Sequence, residues 1–249
     1  MPDSNDRIEG RQPILEALKA GRPINRILIQ KTSERHGQIA EIIHLAKQRR
    51  VIIDFVEKEI IERNSGTHHS QGIVASVSPK EYTDIDEIVE RVKARGEKLF
   101  LLLLDGIEDP QNLGAIIRSA DGAGVHAVVI PKRRAASVTS TVAKTSAGAV
   151  EHIPICRVNN LNDLIRNLKD DRVWVVGLDE KGEQEYTKAD FTLPTALVIG
   201  GEGGGLSRLV KENCDYLVKI PMLGKISSLN ASVSAALVMY EVVRQRAVK

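Results

Sequence analysis

The sequence predicts an α/β protein with a parallel sheet in its C-terminal part and a smaller α/β domain at its N-terminus. Two observations carry this prediction. From residue 99 onward, apolar segments typical of buried strands alternate with helical segments five or six times. Before them, a shorter group of helices and strands alternates and is followed by a charged segment. The expected domains are residues 1–77, a linker with a short helix over 78–97, and residues 98–249.

The N-terminal elements follow from hydrophobic spacing. Residues 10–21 place Ile14, Leu15 and Leu18 on one helical face, and Gly21 suits the end of that helix. Alternating or apolar runs bounded by polar residues predict the strands around it. The further elements expected here are a strand over 24–30, a helix over 37–50, and strands over 51–56 and 72–77.

The C-terminal elements begin with the apolar run 99–106, which predicts a strand buried on both faces, as in a parallel sheet. In such sheets, ligands bind beyond the carboxyl ends of the strands. Further strands are expected over 126–131, 151–158, 172–179, 195–201 and 216–222, and helices over 112–124, 161–169 and 206–214. A long C-terminal helix carries an apolar stripe, interpreted as core, formed by Leu229, Val233, Leu237, Tyr240 and Val243.

Composition excludes several classes of protein. The chain has no apolar run of 18 or more residues and no charged-then-apolar N-terminus, so we expect no membrane span, no signal peptide and a cytoplasmic location. The only two cysteines, Cys156 and Cys214, lie far apart and lack a C-x-x-C partner. This spacing argues against a disulfide framework and a metal site, and it favours two buried, inert thiols.

Charge is distributed unevenly along the chain. Residues 1–80 hold 13 Lys and Arg against 10 Asp and Glu, whereas residues 81–249 hold 22 against 23. Four of the six histidines also lie in the first third, namely His36, His44, His68 and His69. A mildly basic module beside a neutral one suits a domain that docks a polyanion, and an ordinary solvated surface explains the same balance.

A glycine-rich loop, ALVIGGEGGGLSR over 196–208, follows an apolar strand as a dinucleotide-binding loop would. No frame places glycines at the i, i+2 and i+5 positions of G-x-G-x-x-G, and no Gly-Lys pair supports a Walker-type loop. A dinucleotide-dependent oxidoreductase is therefore disfavoured. What remains is an acid flanked by glycines, Glu202, at the carboxyl end of a strand; a plain surface loop is the alternative.

Two further loops carry polar residues. In residues 105–120, Asp109-Pro110 predicts a turn, Asn112 is placed to cap the next helix, and Arg118 follows in that helix. An exposed helical arginine is the ordinary interpretation of Arg118. At the start of the long C-terminal helix, Ser227, Ser228 and Asn230 crowd together, although only one of them is needed as the cap.

Taken in order, these three loops resemble the three motifs of the SpoU/TrmH class of SPOUT methyltransferases. DGIEDPQNLGAIIRSA resembles the first motif, LVIGGEGGGL the second, and IPMLGKISSLNASVS the third. The N-terminal segments GRQPILEAL and HHSQGIVA are similar to the substrate-binding module of the RlmB-like subgroup. The resemblance thus covers nearly the whole chain.

The resemblance implies an architecture and a reaction. The architecture is a C-terminal SPOUT domain with a deep trefoil knot, a small N-terminal domain similar to the ribosomal L30e-type fold over roughly 5–76, and a homodimer that completes the active site. The reaction is the transfer of a methyl group from S-adenosyl-L-methionine to the 2′-hydroxyl of a guanosine ribose in 23S (large-subunit) rRNA near the peptidyl-transferase region. The alternatives are a tRNA 2′-O-ribose methyltransferase and a non-catalytic rRNA-binding assembly factor.

The resemblance also implies which residues form the site. Motif positions assign catalytic roles to Asn112, Arg118, Glu202, Ser228 and Asn230, and cofactor contacts, largely through backbone, to Gly200, Gly201, Ile220, Met222 and Leu229; no metal is implied. A guanidinium keeps its proton in proteins, so we expect Arg118 to bind a phosphate or the developing alkoxide rather than to act as a base. Ser228 and Asn230 would orient it and the ribose, and Glu202 would position Arg118 or substrate.

Overall fold

The computed structural model describes residues 7–33, 36–66 and 70–247. His68 and His69, noted in the sequence, lie outside them. The chain divides into two compact units, the first formed by residues 1–81 and 137–152 and the second by 82–136 and 153–249. Over the described ranges, no helix is long and apolar enough to cross a membrane.

The first unit is built on a four-stranded mixed sheet with the order β1-β4-β2-β3. Strand β4 runs antiparallel to both β1 and β2, and β2 runs parallel to β3. Helix α1 ends as expected at Gly21, which adopts a left-handed conformation. The elements are β1 (Arg7–Glu9), α1 (Arg11–Ala20), β2 (Ile24–Gln30), α2 (Gln38–Gln48), β3 (Ile52–Val56), α3 (Lys58–Asn64) and β4 (Ile73–Val77).

The first unit also includes a segment from the C-terminal part of the sequence. Residues 137–152 contain α6 (Ser140–Thr145) and a 3-10 turn, Ala149–Glu151. Glu151 is buried and accepts a hydrogen bond from Arg22 Nη1 at 2.6 Å. The segment also contacts β1 and α1, so it packs with the first unit rather than with the domain predicted over 98–249.

The second unit contains a seven-stranded parallel sheet with the order β7-β6-β5-β10-β8-β11-β9. The predicted α/β class and parallel sheet are therefore confirmed. The strands are β5 (Phe100–Asp105), β6 (Ala127–Pro131), β7 (Ile155–Val158), β8 (Trp174–Leu178), β9 (Gln184–Glu185), β10 (Thr195–Gly200) and β11 (Tyr216–Lys219). The helices are α4 (Ile85–Ala94), α5 (Pro110–Gly122), α7 (Leu161–Asp170), α8 (Arg208–Asn213) and α9 (Ala231–Ala247).

Helix α4 differs from its interpretation as part of a linker. Asp84 caps it by accepting a hydrogen bond from the Asp86 N–H. Ile88, Val89 and Val92 are buried in the core of the second unit, together with side chains of the parallel sheet. An amphipathic helix that buries three aliphatic side chains in this core is an integral element of the unit.

The stripe of α9 also differs from the prediction. Val233, Leu237 and Tyr240, expected in the core, are 48%, 39% and 51% exposed. The helix instead buries the other positions that face the sheet and α5, which are Ala231, Ala235, Val238, Met239, Glu241 and Val242. Because both faces of α9 are apolar, the spacing of the stripe could not identify the buried one.

Candidate active site

The loops that follow β5 and β10, which carry the first and second motifs, meet at the edge of the sheet where the parallel strands end. Strands β5 and β10 are neighbours, and they end in Asp105-Gly106 and Gly200-Gly201. The Gly201 N–H donates to the Asp105 carbonyl at 2.8 Å. A Cβ on Gly201 would lie 2.0 Å from the Gly106 carbonyl oxygen. The glycine at 201 is therefore required for contact between two loop backbones.

Asn112 lies in the first turn of α5 but does not cap it. The cap is Asp109, whose Oδ1 accepts a hydrogen bond from the Gln111 N–H at 3.0 Å, with Pro110 at the first helical position. The predicted capping role of Asn112 is therefore wrong. Its side chain is buried and free to bond elsewhere.

Residues from all three motif loops form a hydrogen-bonded cluster, which we call the amide–carboxylate cluster: Asn112, Glu202 and Asn230. Glu202 Oε1 accepts hydrogen bonds from Asn112 Nδ2 at 3.0 Å and from Asn230 Nδ2 at 2.7 Å. Asn230 Nδ2 also lies 2.9 Å from Asn112 Oδ1. Ser232 N–H donates to Asn230 Oδ1 at 2.9 Å, so Asn230 also caps α9. The three side chains are thereby held in one arrangement.

The cluster leaves one carboxylate oxygen open. Glu202 is exposed, and its Oε2 accepts no hydrogen bond from any residue that the structure describes. A carboxylate oxygen accepts hydrogen bonds only, so this atom suits a hydroxyl donor on a ligand. The two amides fix the direction in which that oxygen points.

Arg118 and Ser228 lie outside this cluster. Arg118 is exposed on α5, and within the described ranges it forms neither a hydrogen bond nor an ion pair; Ser228 is exposed before α9 and forms no side-chain hydrogen bond there. The structure thus unites three of the five predicted catalytic residues. It also identifies one supporting residue that the sequence interpretation missed: Asp105 Oδ2 accepts the Ser207 N–H at 2.7 Å and holds the end of the glycine loop.

The predicted cofactor residues follow strands β10 and β11, whose carboxyl ends lie at one edge of the sheet. Residues 220–230 form neither helix nor strand. Ile220 and Met222 are half-buried, and Leu229 is 39% exposed. Partly exposed apolar side chains on irregular backbone are of the type that lines sites for small organic ligands.

Neither cysteine contributes to this site. Burial raises the pKa of Cys156 and of Cys214 to about 12, so both thiols stay protonated near neutral pH, as expected for inert residues. Cys156 is fully buried and Cys214 half-buried. Among the described residues, no group of three or more His, Cys, Asp or Glu side chains could hold a metal ion.

Comparison with known proteins identifies the family of the chain. Residues 98–240 match the SpoU rRNA Methylase family, and residues 7–83 match the family described as RNA 2'-O ribose methyltransferase substrate binding. A "Putative TrmH family tRNA/rRNA methyltransferase" of Staphylococcus saprophyticus is 48% identical over 239 residues, which cover 96% of this chain and 95% of that protein. The Bacillus subtilis protein of the same description, YacO, is 44% identical, with 99% of this chain and 98% of that protein covered.

A solved structure resembles the fold over nearly the same length. The SpoU methyltransferase AviRb from Streptomyces viridochromogenes, crystallised in complex with the cofactor AdoMet, matches with a TM-score of 0.82 and 31% identity. The match covers 97% of this chain and 90% of that one. The expected family is confirmed: the chain belongs to the SpoU/TrmH family of RNA methyltransferases.

Proposed function

We propose that the protein transfers a methyl group from S-adenosylmethionine to the 2′-hydroxyl of a guanosine ribose in 23S rRNA, near the peptidyl-transferase region. The observation that carries the reaction is the amide–carboxylate cluster, which joins one residue from each motif loop. The match of residues 7–83 to a 2'-O ribose substrate-binding family supports the ribose as acceptor. The likeness of the N-terminal segments to the RlmB-like subgroup supports the rRNA guanosine.

The residues of this chain have to orient the ribose hydroxyl and stabilise the charge that develops on it. When bound, S-adenosylmethionine supplies a methyl group on a positively charged sulfur, which leaves as a neutral thioether while the proton of the hydroxyl is released to solvent. Glu202 Oε2 would accept a hydrogen bond from a ribose hydroxyl, while Asn112 and Asn230 hold that carboxylate in place. Ile220, Met222, Leu229 and the backbone of Gly200 and Gly201 would hold the cofactor.

Arg118 supports a homodimeric site. It lies six residues after Asn112 on α5, which places it about 9 Å along the helix axis and about 120° around it. Within one chain, Arg118 thus points away from the amide–carboxylate cluster. The exposed apolar stripe of α9, which contacts α5, offers a surface that a second copy would cover. Arg118 of that copy would then bind the phosphate or the developing alkoxide, with Ser228 beside it.

The trefoil knot is part of the same proposal. A Cβ on Gly200 would lie 2.1 Å from the Gly205 carbonyl carbon, and Gly201 packs equally closely against Gly106. Both contacts require glycine and hold the glycine loop close to the end of β5. The knot itself rests on the resemblance to the SPOUT motifs.

The test uses the purified full chain, methyl-labelled S-adenosylmethionine and unmodified transcripts of 23S rRNA and of tRNA. We expect label at the ribose of a single guanosine in the 23S transcript. Glu202→Ala should lower kcat by about 100-fold, because it removes the group that orients the hydroxyl. Glu212→Ala is the matched control, since this exposed glutamate of α8 pairs with Arg208 and with no other described residue.

The outcomes separate the alternatives. Label found in tRNA alone would mean that tRNA, and not 23S rRNA, is the substrate. The absence of label from both RNAs would support the alternative of a non-catalytic rRNA-binding factor. Full activity of Glu202→Ala would show that the amide–carboxylate cluster is not the site.

A further inference from the structure

A second feature lies beside the amide–carboxylate cluster, at the same edge of the sheet. A cavity of about 490 Å³ is bounded by the loops that follow β5, β6, β7 and β10. Its lining includes Glu202 after β10, Arg133 and Arg134 after β6, and Asn160 before α7. Its volume falls in the range of about 300–1,000 Å³ that is usual for ligand sites.

The arginines of this cavity have no acidic partner within the described part of the chain. Lys132, Arg133 and Arg134 are consecutive and exposed, and no carboxylate oxygen described lies within 4.0 Å of their charged nitrogens. Arg208 of the same unit, by contrast, pairs with Glu212 at 2.9 Å. Three unpaired cations in a row are therefore available for a negatively charged ligand.

Three acids also line the cavity. Asp105 accepts the Ser207 N–H at 2.7 Å, and Glu202 Oε1 accepts two amide N–H groups. Glu108 is exposed and also lines the cavity. These hydrogen bonds leave the three carboxylates charged, so the part of the lining formed by Arg133 and Arg134 is the part that suits an anion.

The turn that carries the arginines is held in place. Arg157 Nη2 donates to the Lys132 carbonyl at 3.2 Å, and the Arg157 guanidinium lies 5.3 Å from the centre of the Tyr82 ring. Arg134 adopts a positive φ of 55°, which turns the chain sharply after β6. These contacts reduce the ordering that ligand binding would otherwise require.

We propose that this cavity binds a backbone phosphate of the RNA strand next to the methylated ribose, with Arg133 and Arg134 as the phosphate ligands. The planar guanidinium donates two parallel hydrogen bonds to phosphate oxygens, which fixes orientation as well as affinity. Since Glu202 lines the same cavity, a phosphate held there places the neighbouring ribose against the amide–carboxylate cluster. This inference rests on the proposed function and adds a site for the substrate backbone.

The test compares the Arg133→Gln/Arg134→Gln double variant with the wild type, using methyl transfer to the 23S rRNA transcript. We expect the KM for RNA to rise about tenfold, because two charge-assisted hydrogen bonds are lost. The value of kcat should stay within about twofold, since the reacting groups are untouched. The slope of log Kd for RNA against log salt should fall by about one to two, as expected for a lost phosphate contact.

The matched control is Arg95→Gln/Arg172→Gln. Both arginines are exposed in the second unit, neither forms an ion pair with a described residue, and Arg172 has a φ of 60°, close to that of Arg134. Neither lines the cavity. This variant removes the same charge and should leave the KM for RNA and the salt slope unchanged.

Two results would overturn the inference and leave the proposed function intact. One is an unchanged KM for RNA in the Arg133→Gln/Arg134→Gln variant while the wild type methylates RNA. The other is an unchanged slope of log Kd for RNA against log salt in that variant, which would show that no phosphate contact is lost. Absence of methyl transfer by the wild type is a different result, because it removes the proposed function itself. Calorimetric titration with S-adenosylmethionine checks that both variants retain the cofactor site.

Discussion

Gly201 is the residue at which the site depends most on the absence of a side chain. The Cβ of an alanine there would lie 2.0 Å from the Gly106 carbonyl oxygen, and both atoms belong to backbone that cannot rotate away. We therefore expect Gly201→Ala to destabilise the protein by about 3 kcal/mol, the upper range for overpacking. Its midpoint of thermal unfolding should fall by about 5 °C or more.

The same loop provides the control. A Cβ on Gly204 meets no atom within 4 Å, and its φ is not positive, so Gly204→Ala should unfold within about 1 °C of the wild type. Differential scanning calorimetry of the two variants measures the difference. Equal unfolding midpoints for Gly201→Ala and Gly204→Ala would mean that the two loops can move apart with little loss of stability.

At this residue scale, the sequence predicted Asn112, Glu202 and Asn230 as members of one site but not how they connect. Asn112 has the residue type and position of a helix cap, and the neighbouring Asp109 fills that role. The bonds among the three side chains join residues 28 to 118 positions apart. Only the parallel sheet brings them together, so local spacing could not reveal the contacts.

Among the elements, α9 provides the prediction that concerns assembly. Val233 is 48% exposed on its apolar stripe. If this stripe is the dimer interface, Val233→Glu buries a charge against a second copy and should yield monomers with strongly reduced methyl transfer. Leu209→Glu on α8 is the control, since Leu209 is 52% exposed and lies outside the stripe. Light scattering coupled to size exclusion gives the mass of each variant.

A mixing experiment tests whether Arg118 acts across that interface. Arg118→Ala and Asn230→Ala should each be nearly inactive alone. In a mixed dimer, one site receives Asn230 from one copy and Arg118 from the other, so an equimolar mixture should recover about a quarter of wild-type activity. No recovery after subunit exchange would place both residues in the site of a single chain.

Elements differed in how well the sequence predicted them. The run before Gly106 predicts β5 to within one residue, because a strand buried on both faces is continuously apolar. Helix α9 was predicted, but its buried face was not, since small residues such as Ala231 and Ala235 face inward while larger ones face solvent.

The sequence also could not assign the segment 137–152 to the first unit. Its contacts there, including the buried Arg22–Glu151 pair, join residues more than 100 positions apart, as the 129 positions of that pair show.

At the scale of the whole molecule, two thiols and one phenol of the second unit should lower the free energy of unfolding at alkaline pH. Burial raises the pKa of Cys156, Cys214 and Tyr216 to about 12, from ordinary values of 9.0 for the thiols and 10.0 for the phenol. As pH rises above about 9, the unfolded chain releases these protons before the folded chain does. The free energy of unfolding must therefore decrease with pH until the folded groups titrate near 12.

The combined variant Cys156→Ala/Cys214→Ala/Tyr216→Phe tests this origin. Lost packing should lower its thermal midpoint at about pH 8. Between about pH 8 and 11, however, the midpoint should decline less steeply than that of the wild type, because three of the groups that ionise on unfolding are gone. Calorimetric scans over that range give both slopes. Parallel slopes would assign the alkaline loss of stability to other groups, such as the lysines of surface ion pairs.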